Sequence, residues 1–235
     1  MKISIIIPTK NHLEDCLRPC IDSIIKYTDL NNVDIIIVSN GSMDNTREYV
    51  DSLNNDKIKL IWKDEALGYA KSTNIGIKYA LDNGSDYLIL LNNDTILLEQ
   101  PKNQWIEQLL EPFLVDDKIG ISGPSMLLCE HSNSNFLIFF CVMISKKCFQ
   151  KVGFLDEIFW SGGEDTDFCI KAVQNGFKII QVPTSNQLQY DTSIQKMVGS
   201  FPIYHIGEKS VHEIKKWDKI FERNSNILYN RYGRK

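Results

Sequence analysis

The peptide Asn92-Asn93-Asp94-Thr95 follows the apolar run Leu88-Ile89-Leu90-Leu91, so Asp94 falls at the carboxyl end of an expected strand. Hard divalent cations take oxygen ligands of this kind together with phosphate oxygens. The same carboxylate could instead cap the following turn. A second peptide, Val38-Ser39-Asn40-Gly41-Ser42-Met43-Asp44-Asn45-Thr46, is a glycine turn into an expected helix start. Exposed N–H groups there can hold a nucleotide or merely reverse the chain. The third, Trp160-Ser161-Gly162-Gly163-Glu164-Asp165-Thr166-Asp167, places three acids behind two glycines and an aromatic residue. Acids in a first helical turn complement the helix dipole. A carboxylate within hydrogen-bond reach can also take the proton of an attacking hydroxyl.

These peptides need elements to position them. Strand-length apolar runs over 3–7, 33–38, 58–62 and 87–91 alternate with helical patterns over 14–27, 44–54 and 69–83. Unalternating strands separated by amphipathic helices predict a parallel sheet covered on both faces, an α/β doubly wound topology. Ligands of such sheets bind beyond the carboxyl ends of the strands, here 8–11, 39–46, 63–68 and 92–95. The second half predicts a helix over 104–114, a strand over 119–122 and a β-prone run over 136–144. A helix over 164–175 ended by Gly176, a strand over 178–182, a mobile polar loop over 184–199 and a charged helix over 209–229 follow.

Composition narrows the function. The chain has 235 residues, 43% hydrophobic and 24% charged, which excludes disorder and fibrous repeats. With 26 basic and 30 acidic residues the net charge is −4, too small and of the wrong sign to hold a polyanion, so no nucleic-acid partner is expected. Six cysteines without a C-x-x-C pair read as reduced, buried residues of a cytoplasmic protein, and zinc is not expected. The run over 3–7 is too short and too β-branched for a signal peptide. The run over 136–144 falls short of the ~20 residues that cross a bilayer. Arg223, Arg231, Arg234 and Lys235 with Tyr229 and Tyr232 could touch an anionic membrane surface peripherally, or form a solvated helix end.

Taken together, Ile5-Ile6-Ile7-Pro8-Thr9-Lys10-Asn11, the 38–46 turn, Leu67-Gly68-Tyr69-Ala70 through Asn74-Ile75-Gly76, Leu91-Asn92-Asn93-Asp94-Thr95 and Gly162-Gly163-Glu164-Asp165-Thr166-Asp167 resemble family 2 glycosyltransferases in order and spacing over 1–182. The resemblance implies the GT-A fold, a Rossmann-like, doubly wound, mostly parallel sheet in one domain over 1–235. Its nucleotide-binding half would span 1–95, its smaller acceptor-binding half 96–208, and a C-terminal helix 209–235. The implied activity is inverting transfer of a sugar from a nucleotide-sugar donor, by default a uridine one, to a glycan, a lipid-linked sugar or a protein. Pro8, Thr9, Asn11, Ser39, Asn40, Gly41 and Ser42 would contact the nucleotide, with Gly68, Asn74, Asn92 and Asn93 also on the donor side. Asp94 would be the metal-binding acid of the D-x-D motif, holding Mn2+ or Mg2+, and His205 resembles a second metal or diphosphate ligand. Asp165 would be the general base and Glu164 its acceptor-orienting neighbour, with Trp160, Gly162 and Gly163 on the acceptor side.

Two departures stand out. Ser39 replaces a frequent aspartate, and Asn92 replaces the first acid of D-x-D. The acceptor would be chosen by loops over 129–135 and 184–201. Two other classes compete. A nucleotidyltransferase would need a glycine-rich basic loop, which Pro8-Thr9-Lys10-Asn11-His12-Leu13 is not. A non-catalytic sugar-nucleotide-binding module would not need the intact Asp94, Glu164 and Asp165.

Overall fold

The structure is a computed structural model that describes residues 1–130, 132–182, 189–191, 196–198, 201–207 and 217–233. The chain runs β1 (Ile3–Thr9), α1 (Arg18–Tyr27), β2 (Val33–Ser39), α2 (Thr46–Ser52), β3 (Ile58–Ile61), α3 (Tyr69–Asp82), β4 (Tyr87–Leu91) and β5 (Thr95–Leu97). It continues through α4 (Gln104–Val115), β6 (Ile119–Gly123), β7 (Met126–Cys129), β8 (Ser134–Leu137), β9 (Cys141–Ser145), α5 (Lys146–Val152), α6 (Glu164–Gln174) and β10 (Lys178–Gln181). Last come β11 (Gln189–Asp191), β12 (Lys196–Val198), β13 (Ile203–His205) and α7 (Trp217–Tyr232).

Seven strands form the central sheet in the order β10-β6-β9-β4-β1-β2-β3. Successive residues of β1 point to opposite faces. Ile5 and Ile7 pack with Leu17, Ile21 and Ile24 of the first helical segment and with Trp105 and Leu109 of α4. Ile6 packs on the other face with Ala70, Ile77 and Ala80 of α3 and with Phe168 of α6. Both faces are therefore dry, which is why the strands carry no polar alternation. Trp105 is fully buried and donates its indole N–H to Thr28 Oγ1 at 3.0 Å, as a buried indole requires.

The sheet is mostly, not wholly, parallel. β9 lies antiparallel between β4 and β6. The apolar run over 136–144 is accordingly not one strand. β8 forms an antiparallel hairpin with β7, and the chain turns at Phe139 and Phe140 before β9 enters the sheet. The two phenylalanines bury on opposite faces, which makes the run look continuous in sequence.

The helix expected over 14–27 begins instead as a π-turn over Leu13–Leu17, preceded by left-handed Asn11 and His12, and becomes α-helical at α1. α2 is shorter than the expected 44–54 because Asp44 folds back to accept from Thr46 N and Oγ1. Within the expected loop over 184–199, β11 and β12 pair antiparallel, and the remaining positions lie outside the described residues. The helix expected over 209–229 is seen as α7 from Trp217, and 208–216 lie outside the described residues, as do Arg234 and Lys235.

Candidate functional site

The carboxyl ends of β1, β2, β3 and β4 form one edge of the sheet. Parallel register sets Thr9 beside Ser39. Asn40 N donates to Thr9 O at 2.7 Å, and Asn40 Oδ1 accepts Leu67 N. Gly41 sits at φ 78°, and a Cβ there would stand 2.8 Å from Ala66 N, so only glycine fits between these loops. Asn11 N donates to Ser42 Oγ at 3.0 Å while Asn11 Oδ1 accepts Met43 N at 2.8 Å. Asn93 Nδ2 donates to Thr9 Oγ1 at 2.9 Å. Pro8, Thr9, Ser39 and Ser42 are buried, and Ser39 Oγ accepts Ser42 N at 3.4 Å. The expected nucleotide turn is thus a set of cross-braced strand ends in which Asn11, Asn40 and Gly41 keep partial exposure.

Asp94 lies between β4 and β5. β13 pairs antiparallel with β5, setting His205 opposite Thr95, and Ile206 N donates to Asp94 O at 2.9 Å. The His205 ring stacks on Phe140, 4.5 Å between centroids and 6° from parallel. His205 Nε2 stands 3.2 Å from Asp94 Oδ1 without hydrogen-bond geometry. Asn92 Oδ1, Asp94 Oδ1 and His205 Nε2 are all buried and have no hydrogen-bond partner among the described residues. Buried polar atoms normally find partners. Two ligands at about 2.1 Å and right angles around a small divalent cation stand about 3 Å apart, so the carboxylate and imidazole fit such an ion.

Across the edge, the loop 153–163 delivers α6. Gly162 and Gly163 are left-handed, at φ 80° and 97°. Trp160 keeps 38% exposure, its carbonyl accepts Tyr69 N at 2.7 Å, and its ring lies where a Cβ on Gly68 would be, 2.6 Å from Cδ1. Gly68 is therefore required for this approach. Asn74 departs from the donor-side expectation, because its amide is committed to the loop. Its Nδ2 donates to Leu155 O at 2.9 Å and Glu157 Oε1 at 3.1 Å, and its Oδ1 accepts Leu155 N at 3.0 Å.

The three acids of α6 separate by environment. Asp167 is buried and structural, taking Arg231, Tyr232 and Lys171 at 2.7 Å each. Glu164 is buried with Oε2 unpartnered, and burial followed by the Asp165 charge pushes it up to about 8. Asp165 Oδ1 accepts Thr166 N at 2.7 Å, yet burial outweighs that bond and raises its carboxyl too. Tyr69 joins the halves of the site. Its phenol donates to Phe139 O at 3.0 Å, and burial, then the charges of Glu164, Asp165 and Asp94, push it upward. The motif alone assigns Tyr69 no role; its position directly after Gly68 at the start of α3 is the available signal.

Glu164 should leave a mark on stability. The folded protein keeps its proton to about pH 8, whereas an unperturbed glutamate loses it at 4.5, so the folded state binds more protons and its stability falls as pH rises between these values. Glu164→Gln removes that penalty. Thermal melts are expected to show the variant gaining on the wild type at pH 9 relative to pH 5; a pH-independent difference would contradict the burial of an acid here.

Residues 4–137 match the family described as Glycosyl transferase family 2. The chain belongs to that family. Among curated relatives, this family 2 chain is 24% identical over 154 residues to the dTDP-rhamnosyl transferase RfbF of Shigella flexneri, covering 54% of this chain and 50% of the relative. It is 26% identical over 191 residues to Glycosyltransferase GlyG of Streptococcus pneumoniae serotype 4, covering 80% and 59%. The chain thus spans about half to three fifths of these relatives' lengths. Among solved structures, the mannosyltransferase PcManGT from Pyrobaculum calidifontis, in complex with GDP-Man and Mn2+, superposes with a TM-score of 0.63 at 16% identity, over 77% of this chain and 55% of that one. The family 2 chain shares the GT-A fold of that structure.

Proposed function

We propose that this chain is a glycosyltransferase domain that moves a sugar from a nucleoside diphosphate donor to an acceptor hydroxyl with inversion. The observation that carries the reading is the pairing, across one sheet edge, of Asp94 Oδ1 and His205 Nε2, 3.2 Å apart, with the raised carboxyl pair Glu164 and Asp165. Asp94 and His205 would hold Mn2+ or Mg2+, with Asn92 beside them; the Mn2+ in the PcManGT complex supports this. A divalent cation, when bound, neutralises charge developing on the departing diphosphate. Asp165 takes the acceptor proton as the hydroxyl attacks the anomeric carbon from the opposite side, which is a single displacement. Glu164, protonated at neutral pH, can donate a hydrogen bond to the acceptor. Trp160 offers a ring edge to a sugar at the same side.

For the donor we carry a uridine diphosphate sugar, with a thymidine diphosphate sugar as second reading, favoured by the likeness to RfbF. The acceptor is a glycan, a lipid-linked sugar or a protein, read by the 129–135 hairpin and the 184–201 segment. No helix among the described residues is long and apolar enough to cross a membrane. Incubation with a panel of nucleotide sugars and Mn2+ tests the reading. Release of a nucleoside diphosphate from one donor is expected; pyrophosphate release from a nucleoside triphosphate and a sugar phosphate would instead assign a nucleotidyltransferase.

A further inference from the structure

The loop that delivers Glu164 and Asp165 is strung between two helices distant in sequence. α3 holds its first part through Asn74 and its middle through Tyr69 N. α7 holds the rest. Arg223 Nη1 donates to Ile158 O at 2.9 Å, and Asn224 Nδ2 donates to Ser161 O at 2.9 Å and Gly162 O at 2.6 Å. Arg231 Nη1 bridges Asp156 Oδ2 at 2.8 Å and Asp167 Oδ1 at 2.7 Å. The contact is packed as well as polar. A Cβ on Gly162 would stand 3.2 Å from the Trp217 ring, and one on Gly163 would stand 3.5 Å from Leu228.

Two consecutive left-handed glycines immediately before α6 have the widest conformational freedom any pair can have, and no side chain of their own to limit it. Asn224, only 3% exposed, spends its amide N–H groups on the two carbonyls at this turn. Asp167, the acid of α6 that the chemistry does not use, takes Arg231 and Tyr232 one turn inside the same helix. The helix start is thereby fixed at both its entrance and its first turn from α7.

We propose that α7 is a positioning clamp for the acid pair, with Asn224 as its principal positioning residue and the Arg231–Asp167 pair as its second fastening. Asn224 touches no reacting atom; it acts by setting where Glu164 and Asp165 stand. The inference rests on the reading of Asp165 as base, and it predicts a loss in turnover rather than in donor binding, because a misplacement of about 1 Å can cost about 10²-fold in rate.

The test uses the full chain with Asn224→Ala, Asn224→Asp and Arg231→Lys. Three quantities are measured: hydrogen exchange of the amides of 162–166, affinity for a nucleoside diphosphate with Mn2+, and kcat with the best donor. Asn224→Ala is expected to speed exchange at 162–166 and lower kcat about 10²-fold with nucleotide affinity unchanged. Asn224→Asp keeps the shape but turns an acceptor toward two carbonyls, so at neutral pH it should do at least as badly. Arg231→Lys keeps the charge on a shorter side chain without the planar guanidinium and should shift both readouts in the same direction by less; it carries the test if the Asn224 variants do not fold. Unchanged exchange with unchanged kcat overturns the clamp, and so does a kcat loss matched by an equal loss of nucleotide affinity. Faster exchange in Asn224→Ala alongside wild-type turnover of Asp165→Asn would keep the clamp and overturn only the base assignment.

Discussion

Asp165→Asn is expected to lower transfer by about 10²- to 10⁴-fold, the range that a positioned general base supplies. The substitution keeps the side chain's shape, and an amide oxygen can still accept from Thr166 N as Asp165 Oδ1 does. Only the proton-accepting charge is lost. Because burial raises the Asp165 carboxyl above its ordinary 3.8, the wild-type rate should climb with pH through that raised value, as the ionised form is the active one. Nucleotide affinity should not change. Steady-state kinetics over a pH series check this, and near-wild-type turnover would remove Asp165 from the mechanism.

The second large effect is expected at Asp94. Removing its carboxylate by Asp94→Ala, or removing divalent cations with EDTA, should each reduce donor turnover about 10³-fold or more, since charge stabilisation by a bound cation is worth several kcal/mol. Asp94 Oδ1 and His205 Nε2 stand buried 3.2 Å apart, an ion pair when the imidazole is protonated, and a divalent cation set between them would take both as ligands. His205→Ala should weaken Mn2+-dependent nucleotide binding less than Asp94→Ala, since imidazole carries no charge to offset the cation. Titration calorimetry of a nucleoside diphosphate with and without Mn2+ measures the difference. Full turnover in EDTA would contradict the assignment.

Much of the donor side could be read from the chain because local chemistry decides it. The unbroken Ile and Val runs of β1 and β2 end where Pro8-Thr9 and Ser39-Asn40-Gly41 change the backbone's options, and the structure ends the strands at Thr9 and Ser39. Asp94 was legible for the same reason, as the first acid after β4. The acceptor side resisted because distant partners decide it. Nothing near Asp167 distinguishes it from Glu164 or Asp165; Arg231 and Tyr232, which make it structural, lie 64 and 65 residues further along. Asn74 looks like a binding residue within its motif and proves to brace a loop 81 residues away. The antiparallel insertion of β9 was hidden because Phe139 and Phe140 are both apolar while facing different cores.

The most direct test of the central claim follows the anomeric proton of the sugar by NMR during the first turnovers with the best donor of the panel and Mn2+. For an α-linked donor the account predicts a β product, one nucleoside diphosphate released per sugar, and product formation slowed about 10²- to 10⁴-fold with Asp165→Asn. An α product formed first, or near-wild-type turnover without the Asp165 carboxylate, would contradict it.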